Sequence, residues 1–174
     1  VEPSDNNLHL LNKNIKLNQI HNVEIIPKAI SSKSGIAKLY ISEGHAGDHR
    51  IYNTINGRKT VPIETITIDD LVYKQDRVDL IKMDIQGAEH FALDGMKKTL
   101  SKNPKIIIVT EFSPSMLRES GGNPEKFISF FIEKGFLIKY FNEKRKLLLK
   151  TTKEELINNI CKNNNYVSLY IERK

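Results

Sequence analysis

The chain has 174 residues, 39% of them hydrophobic, which suffices for one domain with a sizeable core and leaves too little for two. Charged residues make up 28%, no apolar run approaches the ~20 residues of a membrane helix, and the single cysteine, Cys161, has no internal partner. A membrane span and a disulfide scaffold are thereby excluded, and a reducing, cytoplasmic setting is expected. The net charge of +6 lies wholly in the second half: residues 1–87 carry 11 basic and 11 acidic side chains, residues 88–174 carry 16 and 10. The cations are mostly dispersed lysines, with Lys144-Arg145-Lys146 the one dense cluster, a pattern of solvated surface more than of a nucleic-acid face.

Glu2-Pro3-Ser4 reads as the tail of a strand running into a capped helix, so a segment upstream of Val1 is expected. Leu8, Leu11 and Ile15 recur at helical spacing behind the cap-forming Ser-Asp-Asn-Asn, predicting an amphipathic helix to about Asn18. Residues 23–30 read as a strand weakened by Pro27, 31–35 as a turn, and 37–42 as a second extended run. Residues 43–60 lack periodicity and form either a functional or a flexible loop, holding His45, His49 and Arg50. A β-branched strand over 61–68 follows, with Thr67 and Asp70 spaced as a capping box.

Residues 78–85 predict a short buried strand that feeds a helix (Ala92, Leu93, Met96, Leu100) through Gln86-Gly87-Ala88-Glu89. Residues 105–112 predict a strand covered on both faces, and Gly121-Gly122 a loop. Asn123-Pro124 starts a helix with Phe127, Phe130 and Phe131 on its apolar side, ended by Gly135. Residues 136–141 and 166–171 are strand-like, with 147–149 extended and 154–161 a short helix between them. Alternating strands and helices up to residue 135 predict an α/β fold, and the two late strands an antiparallel edge pair.

In an open α/β sheet, ligands bind beyond the carboxyl ends of the strands. The acids placed there are Glu2, Asp84, Glu89 in the following turn, and Glu111. A carboxylate at Glu2 suits the two hydroxyls of a nucleotide ribose, and His49 could serve as a base. Asp84 and Glu89 read equally well as strand-end and helix-start acids that serve the backbone. His45 and His49 lack the helical frame and glutamate of a zinc site, and neither a phosphate loop nor a nucleophile elbow is present. Cys161 reads as a core or edge residue.

In order along residues 1–136, several segments resemble the FkbM family of S-adenosylmethionine-dependent methyltransferases. They are Glu2-Pro3-Ser4, Asn14-Ile15 with Asn18, Ala29 and Gly35, Thr67-Ile68-Asp69-Asp70-Leu71, Asp79 through Glu89, and Glu111-Phe112-Ser113-Pro114. The Ile-Lys-Met-Asp-Ile-Gln-Gly-Ala-Glu block over 81–89 is the most specific piece. The resemblance implies a single domain over 1–174 with a Rossmann-like class I methyltransferase sheet. Its strands would be mostly parallel, in the order 3-2-1-4-5-7-6, with an antiparallel C-terminal pair. It also implies O-methylation of a sugar or natural-product hydroxyl with S-adenosylmethionine as cofactor.

By the same carry-over Glu2 and Pro3 lie at the cofactor ribose, Ala29 and Ile30 beside the adenine, and Asp84 near the methionine end. Gln86, where the family commonly has Glu, faces the acceptor together with Glu89 and Glu111. Asp84, Glu111 and His49 are the candidates for the catalytic base. The family's glycine-rich Asp-x-Gly-x-Asn-x-Gly segment is absent from these residues and would precede Val1. The first strand and its loop are therefore expected to be missing, and the chain as it stands to bind cofactor weakly and to be inactive. The expected partner is a small-molecule or glycan acceptor, with no nucleic acid and no resident metal. Two other readings remain: Asp84, Glu89 and Glu111 as ligands of a hard divalent metal, or a degenerate α/β module binding a polyanion through its basic half.

Overall fold

The computed structural model describes residues 1–54 and 57–173, and in it the predicted alternation resolves into two sheets with helices between their strands. Ile55 and Asn56, inside the predicted 43–60 loop, lie outside the described residues. Helix α1 spans Asp5–Leu17 behind Ser4, which holds the N-cap position but makes no capping hydrogen bond with its side chain. None of its residues is buried, so its apolar stripe meets no core.

The small sheet contains β1 (Ala29–Ile30), β2 (Gly35–Tyr40) and β3 (Thr60–Ile66) in the order β1-β3-β2. The strand predicted over 23–30 is thus reduced to its last two residues, paired parallel to Thr65 and Ile66 of β3. Pro27 has no N–H to donate to a ladder, which confines pairing to the residues beyond it.

Helix α2 (Ile68–Leu71) starts as the capping box predicts, the Thr67 hydroxyl accepting from the Asp70 N–H at 2.9 Å. The return half is relayed: the Asp70 carboxylate accepts from the Ser34 hydroxyl at 2.5 Å, and that hydroxyl oxygen accepts from the Thr67 N–H.

Strand β4 (Leu80–Met83) leads into two helices, α3 (Glu89–Asp94) and α4 (Lys97–Lys102), where one was predicted. The break at Gly95 has a tertiary cause. A Cβ on Gly95 would lie 2.5 Å from the Ser31 carbonyl oxygen, and the Gly95 carbonyl accepts from the Asp69 N–H. The Asp69 carboxylate then caps α4 from outside, taking the N–H groups of Lys98 and Thr99 at 3.1 and 2.7 Å.

After β5 (Ile107–Phe112) comes α5 (Pro114–Glu119), which the loop reading of this segment missed although Ser113-Pro114 is a start signal. Helix α6 (Pro124–Glu133) begins as predicted, Asn123 Oδ1 accepting from the Lys126 N–H at 2.7 Å. Strands β6 (Phe136–Asn142), β7 (Leu147–Lys150) and β8 (Val167–Arg173) complete the chain, with α7 (Lys153–Glu155) and short π and 3₁₀ turns over 156–164 before β8.

The larger sheet runs β4-β5-β8-β6-β7. Only β4 and β5 pair parallel there; β8 lies antiparallel between β5 and β6, and β7 antiparallel on β6. Antiparallel pairings therefore outnumber parallel ones, against the expected mostly parallel sheet. The late strands do pair with each other, but β8 is interior and the outer edge is β7. At the opposite end, among the described residues, β4 has no strand on its second side.

The core sits on one face of the larger sheet. Ile108 and Phe112 of β5 and Leu169 and Ile171 of β8 are fully covered, with Leu117, Met96 and the α6 aromatics packed over them. Phe127, Phe131 and Phe136 meet edge to face at 5.4 and 5.7 Å between ring centres. Cys161 is in this core, and burial pushes its thiol up to about 11. Among the described residues no helix is long and apolar enough to cross a membrane.

Candidate cofactor and acceptor site

The two sheets meet where β1 and β4 end, and a cavity of about 240 Å³ opens there. It brings together Glu2, Pro3, Ala29, Ile30, His49, Asp84 and Gln86 of the predicted site residues; Glu89 and Glu111 stand outside its lining. An adjoining cleft of about 410 Å³ runs along the unpaired edge of β4, lined mostly by apolar residues such as Val72, Leu80 and Met83, and shares Val1, Ile30, Asp84 and Ile85 with the cavity.

Glu2 is pinned at two points. Its N–H donates to the Ile26 carbonyl at 3.1 Å, and its Oε1 accepts from the Ser4 N–H at 2.8 Å, which occupies one of the two carboxylate oxygens. Ala29, 4% exposed, leaves room beside it where a larger side chain would fill the cavity, and Ile30, Leu39 and Ile51 give the wall an apolar surface.

Asp84 follows the last residue of β4 and is exposed. Its Oδ1 accepts from Gln86 Nε2 at 2.8 Å, and Lys82 Nζ lies 3.8 Å from Oδ2. The chain then reverses through Gln86 (φ +55°) and Gly87 (φ +94°). Two successive residues in the left-handed region leave the turn's polar groups without a helix or strand to satisfy them. Side chains supply the partners. Glu89 Oε1 accepts from the N–H groups of Ile85 and Gly87 at 3.3 and 3.4 Å, the Tyr52 hydroxyl donates to the Gln86 carbonyl at 2.7 Å, and the Ser120 hydroxyl donates to the Gly87 carbonyl at 2.7 Å.

This places Glu89 differently from the expectation of a residue facing the acceptor. Its side chain is 2% exposed and turned into the bend, and burial pushes its carboxyl up to about 7 against the pull of those N–H groups. Glu111, at the end of β5, is half-buried and its carboxyl is also raised, first by burial and then by the charge of Asp84. Among the described residues no three His, Cys, Asp or Glu side chains converge to hold a metal ion, so Asp84, Glu89 and Glu111 do not form the expected alternative metal site.

The loop after β2 is a clamped structure. Tyr40 and Arg50 exchange both backbone hydrogen bonds, at 2.7 and 3.1 Å, and Asn7 Nδ2 donates to the Ala46 carbonyl from α1. Arg50 donates to Asp48 at 2.8 Å, to Glu119 of α5 at 2.6 Å and to the Tyr52 hydroxyl at 3.1 Å, and Arg58 pairs with Asp48. Two cations and two anions balance, and Asp48 is held below its ordinary range by its arginine partners despite burial. His49 lines the cavity, and its Nδ1 accepts from the Ser42 N–H at 3.1 Å, which leaves Nε2 as the ring nitrogen that carries the proton in that tautomer.

Sequence reasoning missed Tyr52, Asp48, Glu119 and Ser120. An aromatic two residues from an arginine was the only available hint for the first. Lys144-Arg145-Lys146 sits exposed on the turn between β6 and β7, away from the cavity lining.

No curated protein and no solved structure matches the chain. The family model described as the methyltransferase FkbM domain matches residues 1–146, and with that span covering most of the 174 residues, the chain belongs to the FkbM methyltransferase family.

Proposed function

We propose that this chain builds the cofactor wall of an S-adenosylmethionine-dependent O-methyltransferase acting on a sugar or natural-product hydroxyl. The observation that carries it is the single cavity in which Glu2, Ala29, Ile30 and Asp84 meet at the ends of β1 and β4. The order β4-β5-β8-β6, with β8 reversed, supports the same reading. The cavity falls below the ~300–1,000 Å³ of ordinary ligand pockets. The cleft along β4 shares Val1, Ile30, Asp84 and Ile85 with the cavity and extends the room open to a ligand.

S-adenosylmethionine, when bound, supplies a methyl group on a positively charged sulfur. The residues divide the remaining work. Glu2 accepts from ribose hydroxyls with a carboxylate already oriented by Ser4. Ala29, Ile30, Leu39 and Ile51 give a flat base an apolar slot. Asp84, aligned by Gln86, balances the amino group of the methionine end. Glu111 stands beyond the cavity lining, near enough to Asp84 for the two charges to interact, and on that acceptor side its raised carboxyl is the base that takes the proton from the acceptor hydroxyl. His49 is a donor at Nε2 and orients an acceptor oxygen rather than accepting its proton.

Glu111→Gln is expected to lower methyl transfer by about 10²- to 10⁴-fold while leaving cofactor affinity unchanged. The assay follows tritiated methyl transfer to a hydroxyl acceptor selected from a panel of glycosides. Full turnover in the variant would remove Glu111 from the reaction.

A further inference from the structure

Tyr52 lies outside the segments that carry the resemblance and outside the cavity lining, yet it is the link between three separate pieces of the site. Its hydroxyl has a forced direction. Arg50 can only donate, and its Nη1 occupies a lone pair of the phenol oxygen at 3.1 Å, so the phenol proton goes to the Gln86 carbonyl at 2.7 Å. The Arg50 guanidinium also lies 5.6 Å over the Tyr52 ring and is itself fixed by Asp48 and Glu119. A rigid fork thus connects the loop after β2 and helix α5 to one carbonyl of the turn that carries Asp84 and Gln86. The space is closed as well: a Cβ on Gly87 would stand 2.7 Å from the Tyr52 hydroxyl.

Resting on the cofactor reading above, we propose that Tyr52 is a positioning residue for the methionine end of the cofactor, setting the Gln86–Gly87 turn and through it the aim of Asp84. Burial keeps the phenol protonated to about pH 12, so the tie does not change over the working range. Tyr52 touches neither cofactor nor acceptor in this account; it acts through the turn.

The proposal predicts selectivity among ligands. S-adenosylhomocysteine carries the amino-acid end that Asp84 addresses, and 5′-methylthioadenosine shares the adenosine but lacks that end. With the protein expressed from its complete reading frame, Tyr52→Phe is expected to weaken S-adenosylhomocysteine about tenfold and 5′-methylthioadenosine less than twofold, by titration calorimetry. Asp84→Ala should produce the same selective loss, and combining the two should add little, because both act on one contact. A general loosening of the fold would weaken both ligands equally, and that result overturns the proposal. So does unchanged affinity for both.

If the unaltered protein binds neither nucleoside, the cofactor reading fails and the tie is judged alone by amide exchange. Faster exchange at Gly87 and Ala88 in Tyr52→Phe, with the melting temperature kept, upholds the tie; unchanged exchange refutes it.

Discussion

Gly87→Ala is expected to destabilise the protein by about 3 to 5 kcal/mol, and Gly121→Ala by only about 1 kcal/mol. Both glycines have φ in the left-handed region, at +94° and +87°, so both variants bear a similar backbone cost. Their surroundings differ. A methyl on Gly87 would approach the Met116 carbonyl oxygen and the Tyr52 hydroxyl at 2.7 Å each, whereas one on Gly121 meets nothing within 4 Å. The Met116 atom is main chain in α5 and cannot step aside as a flexible side chain would. Denaturant unfolding of the two variants measures the difference directly; equal losses would show that the space under the turn is not closed.

The second large effect is a pH dependence of stability arising from Glu89. Its carboxyl is raised from 4.5 to about 7 in the folded chain, because the cost of burying the charge exceeds what the Ile85 and Gly87 N–H groups return. Between those values the folded state holds a proton that the unfolded state has released. The contribution is therefore fully present below about pH 4.5, is lost as pH rises towards 7, and is absent above it. The shift corresponds to roughly 3 kcal/mol across that window.

Glu89→Gln keeps a carbonyl oxygen for the two N–H groups and removes the charge. It is expected to flatten this part of the stability profile and to exceed the unaltered protein in stability at pH 8. Glu111 adds a slope of the same sign, so the difference between protein and variant isolates Glu89. An unchanged slope in the variant would mean that Glu89 is ionised throughout.

What the sequence made legible follows from how local each signal is. Helix α6 could be read because its start, apolar face and stop are all written in one short local stretch, from Asn123-Pro124 to Gly135. The turn after β4 was legible for the same reason. The break at Gly95 was not, because its causes are the Ser31 carbonyl and the Asp69 carboxylate, both far away in sequence. The loop after β2 looked featureless since charge pairs such as Arg50 with Glu119 follow no spacing rule.

The site was legible unevenly. Seven of the residues that line the cavity were named from strand ends, the loop after β2 and resemblance, while the hydrogen-bond partners of Glu89 and His49 were not. A buried carboxylate serving backbone N–H groups and an exposed one facing a ligand have the same letter in the sequence. Only the 2% exposure of Glu89 and its hydrogen bonds to Ile85 and Gly87 distinguish them.

The most direct measurement is the binding of S-adenosylmethionine to the protein expressed from its complete reading frame, compared with Glu2→Ala. Stoichiometric binding is expected, weakening at least tenfold in the variant with the melting temperature little changed. Binding unaffected by Glu2→Ala would place the cofactor elsewhere and contradict the account.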